Sequence, residues 1–298
     1  MIRRGPTAIG CAALLLGVLP AGSPGAANRA WAKDEASYAK DLEFLLEELP
    51  KKARALLTDK KIDWAKATKD VKGEIKKVKD DAAYVRLVMR MLARLRDGHA
   101  AITKVSPDLE ASLKAAREAE AKGRRWTGPR VHLAPAGAKV LVVEAFGEAA
   151  EQGVKVGMEV VSVEGQPARA WLEKRAAEMR DEDSYSTDHA ALHAAGHWGL
   201  ATWEGTPISF ELLEGRDRKK ATITRNGGPN FAPAGPVHPP KDLKSVGRTS
   251  YGKTAAGFGY VHLRDVPDDL PRQIDEALAA IGDVPGLVLD MRANGGGG

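Results

Sequence analysis

The 298-residue sequence has little cysteine, few aromatic residues and no long apolar run. Its single cysteine, Cys11, excludes an intramolecular disulfide framework and a multi-cysteine zinc site. Aromatic residues make up 5% of the chain, so the lysines between Lys51 and Lys79 are interpreted as a solvated helix surface and no nucleic-acid partner is predicted. With 43% hydrophobic and 29% charged residues, the composition is typical of a globular protein.

The N-terminus has the three parts of a secretory signal peptide. Arg3 and Arg4 precede the apolar run Ala8–Leu19, and small and turn-forming residues follow as far as Ala27. The run is shorter than the ~20 residues that span a bilayer as a helix. We therefore predict a signal peptide over residues 1–27, an exported protein that is periplasmic or extracellular, and no stable membrane span after cleavage. The alternative is an uncleaved membrane anchor.

Residues 34–103 are predicted to form a helical domain. Apolar residues recur at helical spacing from Tyr38 to Leu49, and Pro50 is expected to end that helix. A second amphipathic helix follows, with Asp80 or Asp81 as its N-cap. Asp97-Gly98 is predicted to end it, with the glycine in the left-handed conformation that turns the chain and presents His99.

Residues 130–226 change to a β-type pattern after a charged helical connector at 111–123. The predicted elements are strands at 139–146 and 159–163, a short helix at 148–152, a helix at 168–180 followed by a second helix, and a hairpin of 207–213 with 220–225. A Gly- and Pro-rich linker is predicted over 227–244.

Residues 245–298 follow the linker in a strand–helix–strand order. The strands are predicted at 257–263 and 286–291 and the helix at 270–281, which makes a βαβ unit with a parallel, buried sheet. Two parallel strands leave edges and one face unburied. We therefore expect the sequence to be a fragment of a longer protein.

The middle segment resembles a PDZ domain. Ala149-Ala150, Gly153-Val154, Gly157 and Val160 stand where that family has its characteristic small and apolar residues, and Val163 and Gly165 follow in order. Met158 and Glu164 depart from the pattern. The resemblance implies capture of a peptide by strand addition, with its terminal carboxylate on backbone amides. The alternative is a structural β-module with a blocked groove.

Two further motifs resemble the tail-specific, or carboxyl-terminal processing, serine proteases. Residues 287–297 are similar to that family's "Ile-Leu-Asp-Leu-Arg-x-Asn-x-Gly-Gly" signature, and Leu95-Arg96-Asp97-Gly98-His99 resembles its "Leu-x-Asp-Gly-His" motif, as in the tricorn-core branch. Helical segment, PDZ-like module and βαβ core also follow the family's order. The resemblance implies an α+β multidomain fold that ends with the start of an α/β protease core.

The resemblance also implies roles for individual residues. Gly296 and Gly297 match the oxyanion-hole glycines, whose amides stabilise the tetrahedral intermediate. Asp290, Arg292 and Asn294 are expected to support that loop by hydrogen bonds. The alternatives for the glycine run are a purely structural turn and, since no Gly-Lys-Ser/Thr follows, a weaker phosphate-binding reading.

His99 is the candidate general base, because an imidazole titrates near neutrality. Asp97 is expected to help place it. The alternatives are that His99 caps a helix, or that the base is a lysine beyond the glycine motif, as in another branch of the family. The nucleophilic serine of active branches also follows that motif, so these 298 residues alone are expected to be inactive.

A histidine repeat stands outside the resemblance. His189, His193 and His197 recur every four residues, so a helix would place them on one face. They are weak metal candidates, since position 190 is not the Glu of H-E-x-x-H and Gly196 is expected to interrupt the helix. Surface or interface histidines are the alternative.

Together these patterns predict an exported serine endopeptidase that binds polypeptide substrates through their C-termini and needs no cofactor. Two rivals remain: a non-catalytic peptide- or ligand-binding protein with a protease-like fold, and an envelope protein whose lysine-rich helices bind acidic polymers. The sequence does not indicate an oligomeric state.

Overall fold

The computed structural model describes residues 35–226, 240–292, 294, 296 and 297. Helices come first and mixed sheets follow, which confirms the predicted α+β multidomain fold class. The described chain divides into two compact units, one up to residue 226 and one from residue 240. The predicted signal peptide with Cys11, and residues 227–239 of the predicted linker, lie outside the described residues.

The larger unit begins with a helical segment. Its helices are α1 (Glu35–Lys52), α2 (Arg54–Asp59), α3 (Trp64–Ala67), α4 (Lys69–Glu74), α5 (Asp81–Ala93) and α6 (Pro107–Ala121). The apolar faces of α1 and α5 meet in one core, where the rings of Tyr38 and Tyr84 stack 4.9 Å apart. Asp80 is the N-cap of α5, accepting the Ala83 N–H at 2.7 Å. No helix in the described ranges is long and apolar enough to cross a bilayer.

The sequence predicts that α1 ends at Pro50, and this prediction is wrong. The helix continues to Lys52. A proline has no N–H, so it leaves the carbonyl four residues earlier without its helical hydrogen bond. That carbonyl belongs to Leu46, and the indole Nε1–H of Trp64 donates to it at 3.0 Å. A long-range contact therefore satisfies the group that the proline leaves unpaired.

The turn before His99 also differs from its prediction. Helix α5 ends at Ala93, and the residue in the left-handed conformation is Arg96, with φ of 54°. Gly98 has no such φ, and a Cβ there would meet Ser186 Oγ at an ordinary 3.4 Å. The ammonium of Lys60 donates to the Arg96 carbonyl. The arginine therefore makes the turn that was assigned to the glycine.

A six-stranded sheet organises the rest of the larger unit. In chain order the elements are β1 (Trp126–Thr127), β2 (Val131–Ala136), β3 (Lys139–Ala145), α7 (Glu148–Glu151), β4 (Glu159–Val163), β5 (Gln166–Pro167), α8 (Ala168–Glu182), α9 (Asp188–His197), β6 (Thr202–Trp203), β7 (Pro207–Glu214) and β8 (Asp217–Thr224). The strand order is β2-β3-β4-β7-β8, with β5 paired to β4, while β1 and β6 form a separate pair. The β7–β8 turn is tighter than predicted, because Glu214 already pairs with Asp217.

Helices α8 and α9 pack on this sheet and on each other. All three repeat histidines lie on α9, and Gly196 lies inside the helix, so the predicted interruption is wrong. A Cβ at Gly196 would fall 2.0 Å from the Leu133 carbonyl oxygen on β2. The glycine therefore lets α9 approach the backbone of the edge strand.

The smaller unit contains the predicted βαβ arrangement. Its elements are β9 (Lys244–Val246), β10 (Thr249–Lys253), β11 (Gly259–Leu263), α10 (Leu270–Ile281) and β12 (Leu287–Asp290). Strands β11 and β12 are parallel, as predicted, and α10 has the predicted bounds. The sequence missed β9 and β10, which extend the sheet as an antiparallel hairpin in the order β12-β11-β10-β9.

The two parallel strands differ in burial. Every residue of β11 is buried, whereas Leu287, Val288 and Leu289 of β12 are 47%, 44% and 52% exposed. The prediction of a buried parallel sheet is therefore wrong for β12. Among the described residues β12 is an edge strand whose only neighbouring strand is β11, so its apolar side chains have little to pack against.

Candidate active site

His99 and Asp97 form a hydrogen-bonded pair just after α5. The ring Nδ1 of His99 lies 3.1 Å from Asp97 Oδ1, and the same oxygen accepts the His99 backbone N–H at 2.9 Å. The His99 side chain is 47% exposed, and its Nε2 has no hydrogen-bond partner among the described residues. A base held through one ring nitrogen keeps the other for proton transfer.

Two serines hold this turn in place. Ser184 Oγ accepts the Asp97 N–H at 2.8 Å, and Ser186 Oγ accepts the Gly98 N–H at 2.9 Å. Both serines come from the loop between α8 and α9, far away in sequence. No sequence signal pointed to them, because the pairing exists only once α8 packs near the end of α5.

The Asp97 carboxyl favours its charged form. Partial burial alone would raise its pKa, but hydrogen bonds from the His99 amide and ring, together with the charge of Lys60, outweigh burial and lower the pKa below its usual value. An ionised Asp97 fixes the orientation of the His99 ring by its hydrogen bond to Nδ1.

The turn after β12 is built around the buried carboxylate of Asp290. Arg292 donates to it from its backbone N–H at 3.0 Å, and from Nε and NH2 at 2.9 and 2.6 Å. The Tyr260 hydroxyl donates at 2.5 Å. The Arg292 guanidinium holds the pKa of Asp290 well below its usual range, and burial together with Asp290 raises the pKa of Tyr260 to about 12.

The glycines follow this anchor in a bonded arrangement. Asn294 Nδ2 donates to the Leu263 carbonyl at 2.9 Å, and Asn294 Oδ1 accepts the Gly296 N–H at 2.8 Å. Gly297 has φ of 146°, and a Cβ there would fall 2.2 Å from the Val266 carbonyl oxygen. Position 297 therefore requires glycine for both its conformation and its close backbone neighbour.

The structure brings His193 and His197 together, but with His132 rather than with His189. The rings of His193 and His197 are 5.9 Å apart, and the His132 ring on β2 lies 3.7 Å from that of His197. His132 is buried and pairs with Glu144 at 2.7 Å. The sequence missed His132, although its position opposite Glu144 in the β2–β3 register is a signal that a strand-pairing argument could use.

His197 is held neutral in this cluster. Burial, together with the charges of His132 and His193, lowers its pKa to about 3, and its Nδ1 is buried without a hydrogen-bond partner. No group of three or more His, Cys, Asp or Glu residues among the described residues has a metal-binding arrangement. The cluster is thus a group of stacked rings between α9 and β2 in which His197 is neutral.

We expect His197 to make the protein less stable as the pH falls. In the unfolded chain His197 binds a proton near pH 6.5, whereas in the folded chain it stays neutral down to about pH 3. The contribution of neutral His197 to folding stability is therefore fully present above pH 6.5 and is lost as the pH falls from 6.5 to 3. The loss at pH 5 should be on the order of 1–2 kcal/mol. Urea unfolding at pH 7 and pH 5 measures it. His197→Gln should make the free energy of unfolding less dependent on pH, whereas His189→Gln, on the exposed side of α9, should leave the pH dependence as it is. An equal pH dependence in the two variants would contradict the assignment of this effect to His197.

Comparisons with known proteins address the fold. No protein-family model matches the sequence, and no curated protein matches it. Among solved structures, the crystal structure of mature CPAF superposes with a TM-score of 0.58 at 12% identity, covering 89% of this chain and 56% of that one. The chain thus spans just over half the length of mature CPAF.

A second solved structure is that of a photosystem II D1 C-terminal processing protease. It matches at 20% identity over 76% of this chain and 55% of that chain, but its TM-score of 0.26 is too low to carry an argument. The fold of this chain is therefore the one that it shares with mature CPAF.

Proposed function

We propose that the chain is part of an exported serine endopeptidase of the tail-specific type. In this proposal His99 is the general base, Asp97 positions it, and one of the Gly296 and Gly297 amides binds the oxyanion. Residues 34–103, 130–226 and 245–298 act as helical domain, PDZ-like module and start of the protease core. The nucleophilic serine belongs to sequence outside these motifs.

The observation that carries the proposal is the His99–Asp97 pair. A carboxylate on Nδ1, an exposed ring and an Nε2 without a protein partner are what a general base requires. A histidine that only capped a helix would direct a ring nitrogen to a helix carbonyl. The ring of His99 instead bonds to a side chain in the turn beyond α5.

The glycine turn gives separate support. Asp290 and Arg292 form a stiff anchor at the end of β12, and Asn294 ties the following residues to β11. Such bracing is what preorganised amide donors need, because a donor fixed beforehand costs no reorganisation during the reaction. The Gly296 amide is bonded to Asn294 in this structure, so its use as a donor requires that bond to open.

The experiment is hydrolysis of a peptide with an apolar, free C-terminus by the complete gene product. We expect kcat/KM at least ~10-fold above that for the same peptide with a C-terminal amide, because a hydrogen-bonded carboxylate contributes ~1.5–3 kcal/mol. A serine-directed fluorophosphonate should abolish turnover. No cleavage of either peptide, with no labelling by the fluorophosphonate, would overturn the proposal.

The second candidate is a non-catalytic peptide- or ligand-binding protein with a protease-like fold. Binding of the free-acid peptide by the complete gene product without any hydrolysis would support this candidate against the peptidase. The approach of α9 to the Leu133 carbonyl of edge strand β2 concerns only where a peptide could dock, because a guest strand would add at that edge.

A further inference from the structure

A cavity of about 440 Å³ lies in the larger unit, lined by residues of α8, β1 and β6 and by Arg225. Its volume is within the range of small-ligand sites. The lining residues that matter are Trp126, Trp171, Lys174, Arg175, Glu178 and Arg225. Two indoles and three cations against one carboxylate give the cavity both an apolar and a positive character.

Arg225 is a buried cation at the wall of the cavity. It is only 6% exposed, and its guanidinium donates to the Leu200, Thr206 and Pro207 carbonyls, with no carboxylate in ion-pair range among the described residues. Burial lowers the pKa of Arg225, and the charge of Glu164 opposes this only in part. A buried charge without an opposite charge is unfavourable, so a nearby anion would stabilise it.

The other two cations at the cavity wall are Lys174 and Arg175, of which only Arg175 is paired with a carboxylate. Arg175 donates from Nε to the Gly199 carbonyl at 3.1 Å and from NH1 to Glu178 at 3.0 Å, which neutralises Glu178. Lys174 makes no hydrogen bond or ion pair with any described residue. After this pairing, Lys174 and Arg225 are the cavity cations that form no ion pair with any described residue.

The indoles supply flat apolar walls. Trp126 is 51% exposed, although its ring and that of Trp203 meet edge to face with their centroids 5.1 Å apart. Trp171 is half-buried against the core of the unit. Gly199 lets the Arg175 side chain lie close to the backbone at the cavity wall, because a Cβ at position 199 would fall 2.9 Å from Arg175 Cγ. Exposed aromatic rings beside cations are suited to a ligand that is flat at one end and anionic at the other.

We propose that this cavity binds a carboxylate carried on a flat apolar group. The group is either a small free aromatic acid or the C-terminal aromatic residue of a peptide. The carboxylate lies toward Lys174 and Arg225, and the apolar group lies between the indoles. The inference does not depend on His99 or on the glycine turn. If the ligand is a peptide, this cavity rather than strand β2 is the site where the proposed peptidase binds the C-terminal tail of its substrate.

The test is calorimetric titration of the full chain with 3-phenylpropanoate, 3-phenylpropanamide, and an acetylated tetrapeptide ending in phenylalanine as free acid and as amide. We expect at least one free acid to bind at least ~10-fold more tightly than its amide, because the amide removes the charge that strengthens hydrogen bonds to the two cations. If both acids bind, or only 3-phenylpropanoate binds, the ligand of the cavity is a small free acid. If only the peptide acid binds, the ligand is the C-terminus of a peptide chain.

Lys174→Gln is the variant that tests the site, because Lys174 makes no hydrogen bond or ion pair within the described part of the chain. It should weaken binding of the acid ~3- to 10-fold, a loss typical of one partly solvated charge. Lys220→Gln, at an exposed lysine on β8 outside the cavity, should leave affinity unchanged. Equal affinity of acids and amides, no binding at millimolar concentration, or equal effects of the two variants would overturn the inference. The titration measures binding and no hydrolysis. A negative result would therefore overturn this inference without bearing on the proposed peptidase activity.

Discussion

Replacing His99 by alanine is expected to lower kcat for peptide hydrolysis by the complete gene product at least ~100-fold, the usual scale of a general base. The ring is exposed and, among the residues that the structure describes, it hydrogen-bonds only to Asp97 in its own turn, so the fold should survive the change. KM should change little, because the base acts on the proton of the nucleophile. Steady-state kinetics with unfolding curves of both proteins make the measurement.

Two variants sharpen this prediction. Asp97→Asn should lower kcat, because an amide cannot hold the His99 ring as the ionised carboxylate does. Unfolding curves that match those of the unaltered protein would exclude a purely structural role for Asp97. His189→Ala, at an exposed histidine on α9, should retain full turnover. If His99→Ala also retained it, the base would lie elsewhere, for example at a downstream lysine.

Replacing Gly196 by alanine is expected to destabilise the larger unit by about 3 kcal/mol, the upper end of typical overpacking costs. Alanine favours a helix over glycine by ~1 kcal/mol, which acts in the opposite direction. The clash dominates, because the new Cβ would lie 2.0 Å from a backbone oxygen of β2, which cannot rotate away like a side chain. Urea unfolding monitored by circular dichroism gives the change.

Gly73 provides the matched control. It lies in α4, and a Cβ there would have no heavy atom within 4 Å. Gly73→Ala should therefore stabilise the protein by about 0.5–1 kcal/mol, the helix propensity gain alone. If Gly196→Ala stabilised the protein to the same degree, the close approach of α9 to β2 would be refuted.

The contact at Gly196 has a consequence for peptide capture. Strand addition needs free backbone groups on an edge strand, and α9 lies against β2 at Leu133. If Gly196→Ala moves α9 outward without unfolding the unit, binding of a free-acid peptide should rise where β2 is the docking edge. It should stay constant where the Trp126–Trp171 cavity is the binding site. The same variant thereby separates the two positions.

Periodicity and capping predicted much of the local structure. The bounds of α10 agree with the structure, the Asp80 cap begins α5, and β11 and β12 pair in parallel as a βαβ unit should. These features depend on residues close together in sequence, so a local pattern contains the information. The β9–β10 hairpin lacked a comparable apolar alternation and was missed.

Candidate residues were predicted less evenly. Motif order pointed to Asp97 and His99, and the structure pairs them. The serines of the α8–α9 loop that hold the turn carry no sequence signature, and the register that pairs His132 with Glu144 does not indicate that His132 meets His197. Their roles arise from segments that are dozens of residues apart, and one sequence contains no direct record of such contacts.

The sequence by itself determined the helix-then-sheet order, the His99 motif and the glycine run after an apolar strand. Only the tertiary structure decided that α1 continues through Pro50, that Arg96 rather than Gly98 turns the chain, and that two indoles and three cations surround one cavity. The physical reason is range. Backbone preference acts over one helical turn or one strand pair, whereas the satisfaction of an orphaned carbonyl or the gathering of like charges depends on which distant segments pack together.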